Sequence, residues 1–189
     1  NATDICQPAI LTTSIAILAV LRKRCGFDKI APSACAGLSL GEFTALAAAG
    51  ALAEEDAVGL VHRRGAFMQE CCDKYPGTMA AVMGMGEDEI SALCKKASVA
   101  GPVSIANLNC PGQIVITGSK DAVAKFIELA GDSSSRIIEL QVAGAFHSDL
   151  MKEAGGKLQA ELNGCRIKGP AVPVVANVDA DVSSDPGEI

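Results

Sequence analysis

Ser33-Ala34-Cys35-Ala36-Gly37-Leu38-Ser39-Leu40-Gly41-Glu42-Phe43 is the stretch on which the fold turns. Its first four residues are small and read as a short strand, Ser33–Ala36. Gly37-Leu38-Ser39-Leu40-Gly41 then forms G-x-S-x-G, and an Ala-rich helix is expected over Gly41–Ala49, closed by Gly50. A sharp turn from strand to helix wants glycine on both sides of the serine, where neighbouring backbone passes close. Such a turn raises the serine hydroxyl to a helix N-terminus, whose dipole and free N–H groups favour a developing oxyanion. The same residues allow another reading. Ser39-Leu40-Gly41-Glu42 also fits S-x-x-E, a capping box in which Ser39 would only cap the helix. Spacing alone leaves both open.

Working outward, Thr3 or Asp4 can cap a helix running from Pro8 to Arg24, with Arg22-Lys23-Arg24 and Gly26 at its end. Its apolar stretch Pro8–Leu21, about 14 residues, is too short to span a membrane and reads as a buried helix. Glu54–Lys74 is a second long helix. Strand, glycine-flanked turn and helices together predict an α/β layer with parallel strands. From Thr78 to Val142 the rhythm changes. Strands at Thr78–Met85, Val103–Ala106, Gln113–Thr117 and Arg136–Val142 alternate with helices at Asp88–Lys96 and Asp121–Ala130. That β-α-β-β-α-β order is ferredoxin-like. The expected organisation is therefore an α/β body over 1–77 and 143–189, interrupted by a ferredoxin-like subdomain over 78–142. A helix at Ser148–Asn163 and an apolar strand at Val172–Asn177 complete the body.

Composition bounds the function. The 189 residues are 49% hydrophobic and 20% charged, a globular balance with enough chain for its own core. Aromatic residues are 3% and the net charge is −6, so neither an aromatic stacking platform nor a domain-wide basic footprint for nucleic acid is present. The eight cysteines include the adjacent pair Cys71-Cys72 and form no C-x-x-C. In a domain of this size they read as reduced thiols of a reducing compartment.

A serine nucleophile needs a base, and the sequence offers two histidines. On the wheel of Glu54–Glu70, His62 falls outside the apolar arc made by Ala57, Leu60, Val61, Gly65, Phe67 and Met68, and reads as solvated. His147 follows the apolar run Val142-Ala143-Gly144-Ala145-Phe146 at the end of an expected strand, where α/β active sites gather. It is either a half-buried, satisfied histidine or the base. No Asp stands where it would orient the ring, so a Ser-His dyad is expected rather than a triad. Arg64 lies near the centre of the apolar arc. A charge there needs a partner: either a buried carboxylate of the protein or the carboxylate of a substrate that also carries a reactive acyl group.

Together these segments resemble the malonyl-CoA:acyl carrier protein transacylase family of type II fatty-acid synthesis, with the acyltransferase domains of polyketide synthases close by. Cys6-Gln7-Pro8-Ala9-Ile10 resembles its Q-P-A-[LI] helix start, and Gly37–Phe43 its G-x-S-x-G-E-[YF] elbow. Arg64-Gly65-Ala66-Phe67-Met68 resembles R-G-x-x-M. Asn107-Leu108-Asn109-Cys110-Pro111-Gly112-Gln113 resembles N-x-N-x-P-x-Q, and Gly144-Ala145-Phe146-His147-Ser148 resembles [GH]-A-F-H-S. The motifs come in family order along nearly the whole chain. Leu38, where many members have His, is similar to plastid and cyanobacterial relatives.

The resemblance implies an α/β-hydrolase-like body with a ferredoxin-like subdomain, and roles by position. Ser39 would be the nucleophile and His147 its base, with Arg64 binding the malonyl carboxylate and the Leu40 N–H forming half of the oxyanion hole. Phe146 would exclude an α-methyl group. Asn107 and Asn109 would belong to the substrate site, and Arg136 would contact the carrier protein. The partners implied are malonyl-CoA and acyl carrier protein, with no nucleic acid and no membrane, and the protein is expected to be a monomer. No cofactor is expected; CoA enters as part of the thioester substrate. The implied setting is soluble, in plastid stroma, mitochondrial matrix or bacterial cytoplasm. The family also has an earlier strand with a G-Q-G loop and a later segment near the dyad. Neither is in the sequence, which resembles the middle of the enzyme. Two other functions remain open at this stage: a serine hydrolase or thioesterase, which would not need Arg64, and an inactive domain that only docks a carrier.

Overall fold

The computed structural model describes residues 2–26, 29–131 and 135–187. Helix α1 spans Thr3–Cys25, strand β1 Cys35–Ala36, α2 Leu40–Ala48 and α3 Glu54–Lys74. Strand β2 (Gly77–Met83), α4 (Glu87–Ala97), β3 (Val103–Cys110), β4 (Gln113–Ser119), α5 (Lys120–Ala130) and β5 (Arg136–Glu139) follow. A 3-10 turn at Asp149–Met151 leads into α6 (Lys152–Asn163), and two-residue strands β6 (Val174–Val175) and β7 (Val182–Ser183) close the described chain. The chain divides into two compact units. Unit 1 is Asn1–Thr3 with Ala66–Lys157, and unit 2 is Asp4–Gly65 with Leu158–Ile189. The terminal residues 1, 188 and 189, expected in the α/β body, lie outside the described residues.

In unit 1, β2 to β5 form one antiparallel sheet in the order β3-β4-β2-β5. The run Gly77–Val82 is buried throughout, because both faces of the sheet are covered. Ala80 and Val82 point to one side with Ile114 and Ile116, against Ile90, Cys94 and Ala97 of α4 and Val123 and Phe126 of α5. Spacings of four and three put Ile90, Cys94 and Ala97 on one helical stripe. Met79, Ala81 and Val115 point to the other side, where Phe146 packs. The hairpin between β3 and β4 turns through Pro111-Gly112, with Gly112 at φ 82°, the pair that presets such a turn. Strand β5 stops at Glu139 rather than at Val142, since the Val142 N–H turns back to the Leu140 carbonyl at 3.0 Å and leaves the ladder.

Burial in unit 1 also sets how its thiols titrate. The Cys94 thiol is pushed from its ordinary 9.0 up to about 11 by desolvation. Burial does the same to Cys72, with the charges of Asp73 and Cys71 adding to it. A folded-state value above the unfolded one means that the folded chain holds the proton more tightly. That stability is complete below pH 9 and is lost as pH rises towards 11. Denaturant midpoints should therefore fall steeply between pH 9 and 11. Cys94→Ala should fall less over that interval, and an equal fall would remove Cys94 as a cause.

In unit 2, β1 pairs in parallel with β6 (Cys35↔Val174, Ala36↔Val175), and β6 pairs antiparallel with β7. The small sheet is thus mixed, where the sequence predicts parallel strands. The expected strand Val172–Asn177 shrinks to two residues: Pro173 lacks an N–H for a ladder, and the chain turns at Ala176. Phe43, Leu46 and Ala47 of α2, Ala57, Leu60 and Val61 of α3, and Leu11 of α1 make the core, with Val174 beneath them. The N–H groups of Ala49, Gly50 and Ala51 close the end of α2 on the carbonyls of Ala45, Ala47 and Leu46, and Gly50 takes φ 76°.

Helix α1 departs from expectation. It begins at Thr3, so Pro8 lies inside it and gives the Asp4 carbonyl no N–H. It is not a buried helix either. Only 11% of its most apolar window is buried, and Ile10, Ile17, Val20 and Leu21 are exposed. Thr3, Gln7 and Leu11 are its buried residues, a stripe spaced by four. Hydropathy measures how apolar a helix is, whereas burial depends on which face meets the core. At 23 residues it is long and apolar enough to cross a membrane by length and composition, a test that core helices of soluble proteins also pass.

Candidate active site

Ser39 stands where strand β1 hands over to helix α2, at φ 54° and ψ −108°. A non-glycine residue in this region is strained by about 1–3 kcal/mol and persists only where its surroundings hold it. Gly37 is what lets the turn close. A Cβ there would run into the backbone of Gly41. The Ser39 side chain makes no capping hydrogen bond to α2, which sets the capping-box reading aside. The hydroxyl instead accepts from Arg64 Nη2 at 2.9 Å. The Leu40 N–H belongs to the first turn of α2, where a helix leaves its N–H groups without internal acceptors. Leu38 projects outward, 58% exposed.

Arg64 reaches Ser39 from α3, half-buried among apolar neighbours as the wheel predicts. Its Nη1 donates to Gln7 Oε1, and its guanidinium lies 5.8 Å from the Phe43 ring centre, within cation–π range. Burial pushes its pKa down, and the Glu42 carboxylate pushes it back up. Guanidinium stays charged throughout. No carboxylate lies within ion-pair distance of Arg64 among the described residues. The structural ion pair, one of the two explanations open from sequence, is therefore not what holds this charge. A half-buried cation beside a serine hydroxyl, with one amide to orient it, is a site into which an anionic group fits.

Two further residues complete the elbow. The Ser39 N–H donates to Asn177 Oδ1 at 2.7 Å, and the Asn177 N–H donates to Glu42 Oε1 at 3.0 Å. Gln7 and Asn177 carried no expected role, and Glu42 only that of the capping-box reading. For Gln7 the signal in the sequence was its place in the Q-P-A-[LI] motif; that it lies on the buried Thr3-Gln7-Leu11 stripe is set by packing. For Asn177 there was none, since its partner is 138 residues away. A cavity of about 390 Å³ opens behind the elbow, walled by the small residues Ala34, Cys35, Ala36, Gly37 and Gly41 with Ile10 of α1.

The other expected residues belong to unit 1. His147 is exposed at φ 59°, in the loop between β5 and α6 rather than at a strand end, and it is not the half-buried histidine of the alternative reading. Its neighbours fix the loop. Ala145 is fully buried, and Phe146 packs with Met68, Cys71, Cys72 and Met151 on one side and Met79, Ala81 and Val115 on the other. Ser148 Oγ donates to the Ala145 carbonyl at 2.6 Å and accepts from the Leu150 N–H at 3.2 Å. Cys72 Sγ fills the space where Gly144 lacks a side chain. Asn107 and Asn109 lie on β3, where Asn109 Nδ2 donates to Gln113 Oε1 at 3.3 Å. Arg136 opens β5, at an edge of the sheet, and is exposed. His62 is exposed, as expected. Arg22 donates to the Ala48 carbonyl at 3.1 Å and so finishes the end of α2. A larger cavity, about 720 Å³, is lined in unit 1 by Gln69, Thr78, Lys120 and Glu139 and contains none of the expected site residues.

The acyl transferase domain model matches residues 1–188. The chain belongs to the acyl transferase domain family. Among curated proteins, this acyl transferase domain is 46% identical over 185 residues to the malonyl CoA-acyl carrier protein transacylase of Bacillus subtilis, covering 97% of the chain and 57% of that protein. It matches the crystal structure of malonyl CoA-acyl carrier protein transacylase from Clostridium perfringens at TM-score 0.89 and 39% identity, over 97% of this chain and 57% of that one. It also matches a malonyl-transacylase solved in complex with its type II polyketide acyl-carrier protein, at TM-score 0.91 and 37% identity, over 100% and 60% of the two chains. The acyl transferase domain thus spans about three fifths of the length of these relatives. The mixed α/β architecture agrees with that of the solved transacylases.

Proposed function

We propose that the protein transfers malonyl from malonyl-CoA to the phosphopantetheine thiol of acyl carrier protein, through a malonyl-serine intermediate, in fatty-acid biosynthesis. The observation that carries this reading is the 2.9 Å hydrogen bond from the unpaired-by-carboxylate, half-buried Arg64 to Ser39 Oγ. A nucleophile beside a fixed cation suits an acyl group that ends in a carboxylate. Relatives named as malonyl transacylases support it.

In the proposed reaction Ser39 Oγ attacks the thioester carbonyl carbon while His147 takes the hydroxyl proton. The Leu40 N–H stabilises the oxyanion that develops. The carbonyl re-forms, the C–S bond breaks, and CoA leaves as the thiol with the proton from His147. The carrier thiol then attacks the Ser39 ester and gives its proton to His147, which returns it to Ser39 as the malonyl thioester forms. Arg64 grips the malonyl carboxylate through parallel hydrogen bonds and so aims the carbonyl. Phe146 limits bulk at the α-carbon, Asn107 and Asn109 contribute to the substrate site, and Arg136 meets the acidic carrier. We also read 1–77 and 143–189 as the α/β-hydrolase-like body and 78–142, with the β3-β4-β2-β5 sheet, as the ferredoxin-like subdomain. In this reading the protein is a soluble monomer of a reducing compartment and uses no resident cofactor.

The test is intact mass of the full-length protein after malonyl-CoA, then after carrier protein. A malonyl adduct mapped to the Leu38–Phe43 peptide, lost as malonyl appears on the carrier, is the expected result. Free malonate with no transfer would make the protein a hydrolase, and no reaction would leave a docking domain.

A further inference from the structure

We infer that Asn177 is a positioning residue for the nucleophile: it holds the backbone of Ser39 in the strained conformation that aims the hydroxyl, and Glu42 locks it there. The inference rests on Ser39 being the nucleophile, as proposed above.

The sheet explains why Asn177 can do this. Strands β1 and β6 run in parallel with Ala36 opposite Val175, so both chains leave the sheet at the same end. Ser39 is three residues past Ala36, and Asn177 is two past Val175. The chain after β6 is then folded into a tight turn. The Ala176 N–H donates to the Asp181 carbonyl at 2.9 Å, the Ala180 N–H to the Ala176 carbonyl at 3.1 Å, and the Asp181 N–H to Asp179 Oδ1 at 2.9 Å. Ala180 takes φ 62° to close it. This turn fixes the residue at its entrance, Asn177, beside the elbow.

The contacts are reciprocal. The side-chain oxygen of Asn177 accepts from the N–H of Ser39 at 2.7 Å, while the N–H of Asn177 donates to the side chain of Glu42, on the first turn of α2, at 3.0 Å. The serine backbone and the helix that follows it are thereby both tied to one residue. A rotation of Ser39 towards a relaxed φ would break the shorter bond and swing the hydroxyl away from Arg64. The serine side chain does not cap α2, so its hydroxyl is left available, and Asn177 Oδ1 takes the Ser39 N–H that the glutamate of a capping box would take.

The test compares Asn177→Asp, which keeps an acceptor oxygen, with Asn177→Leu, which removes it, in the full-length protein. Two reactions are timed. One is malonylation by malonyl-CoA. The other is phosphonylation by a fluorophosphonate, in which the Ser39 oxygen forms a bond to phosphorus and fluoride leaves with the proton. Asn177→Leu should slow both about 10- to 100-fold, the cost of a misplaced nucleophile, through kcat with little change in KM for malonyl-CoA. Asn177→Asp should restore most of the rate. If Asn177→Leu does not fold, Asn177→Ala also lacks the acceptor and carries the same comparison. A Leu or Ala variant within twofold of the parent, or an Asp variant as slow as Leu, overturns the assignment. A parent that takes the phosphonate but not malonyl refutes the transferase reading alone, and the phosphonate rates then decide the role of Asn177. A parent inert to both overturns it.

Discussion

Ser39→Ala is expected to abolish the malonyl adduct and to lower transfer by about 10⁴-fold or more, the loss typical of removing an acyl-transfer nucleophile. The fold should survive. The substitution deletes one acceptor of Arg64 Nη2 but buries no new polar group, which is worth about 1 kcal/mol or less at a partly exposed site. Strain supplies an internal control. Alanine has the same difficulty as serine at φ 54° and ψ −108°, whereas glycine does not. Ser39→Gly should therefore be inactive yet more stable than Ser39→Ala, by up to about 1 kcal/mol in denaturant titration. An adduct that persists on Ser39→Ala would place the nucleophile elsewhere. A glycine variant that is less stable than alanine would mean that the elbow is not strained.

Arg64→Ala is expected to separate malonyl from acetyl. Two charge-assisted hydrogen bonds at about 1.5–3 kcal/mol each correspond to roughly 10²- to 10⁴-fold in kcat/KM for malonyl-CoA. Acetyl-CoA has no carboxylate to lose and should be nearly unaffected, so the preference for malonyl should collapse. Arg64→Lys should recover only part of it, because an ammonium cannot match the carboxylate with a planar pair of donors. Competition between the two thioesters, read as the mass of the serine adduct, measures both. Retained discrimination by the alanine variant would sink the carboxylate-binding role. Stability should change little or improve, since the alanine removes a charge whose burial is unfavourable.

What was legible in the sequence follows the range of the interactions involved. Helix α3 was readable end to end, because Glu54-Glu55-Asp56 and the apolar arc are local signals, and the same arc placed Arg64 and His62 on their proper faces. The strand-turn-helix at Ser39 was readable because glycine spacing encodes it. What the sequence missed was set at a distance. Strands β1 and β6 fall inside the expected Ser33–Ala36 and Val172–Asn177, but each is only two residues long, a length fixed by pairing across the chain that no periodicity can announce. Helix α1 is apolar all round, and only packing decides that Gln7 turns inward while Ile10 and Ile17 do not. Asn177 reads as a polar residue in a turn, and its purpose is written in the position of Ser39.

The order of the two units along the chain bears on how the protein is made. Unit 1 interrupts unit 2 between Gly65 and Leu158, and the bond that sets Ser39 spans 138 residues. A growing chain that has released β1, α2 and the start of α3 therefore lacks β6 and the Asn177 turn. The antiparallel sheet of unit 1, whose pairings are comparatively close in sequence, can form while synthesis continues. The serine elbow cannot. Its last support arrives near the end of this stretch, after a long loop has been closed. A truncated or stalled product ending before Asn177 would carry Ser39 without its set conformation, so the setting of the elbow waits for translation of β6 and the turn after it.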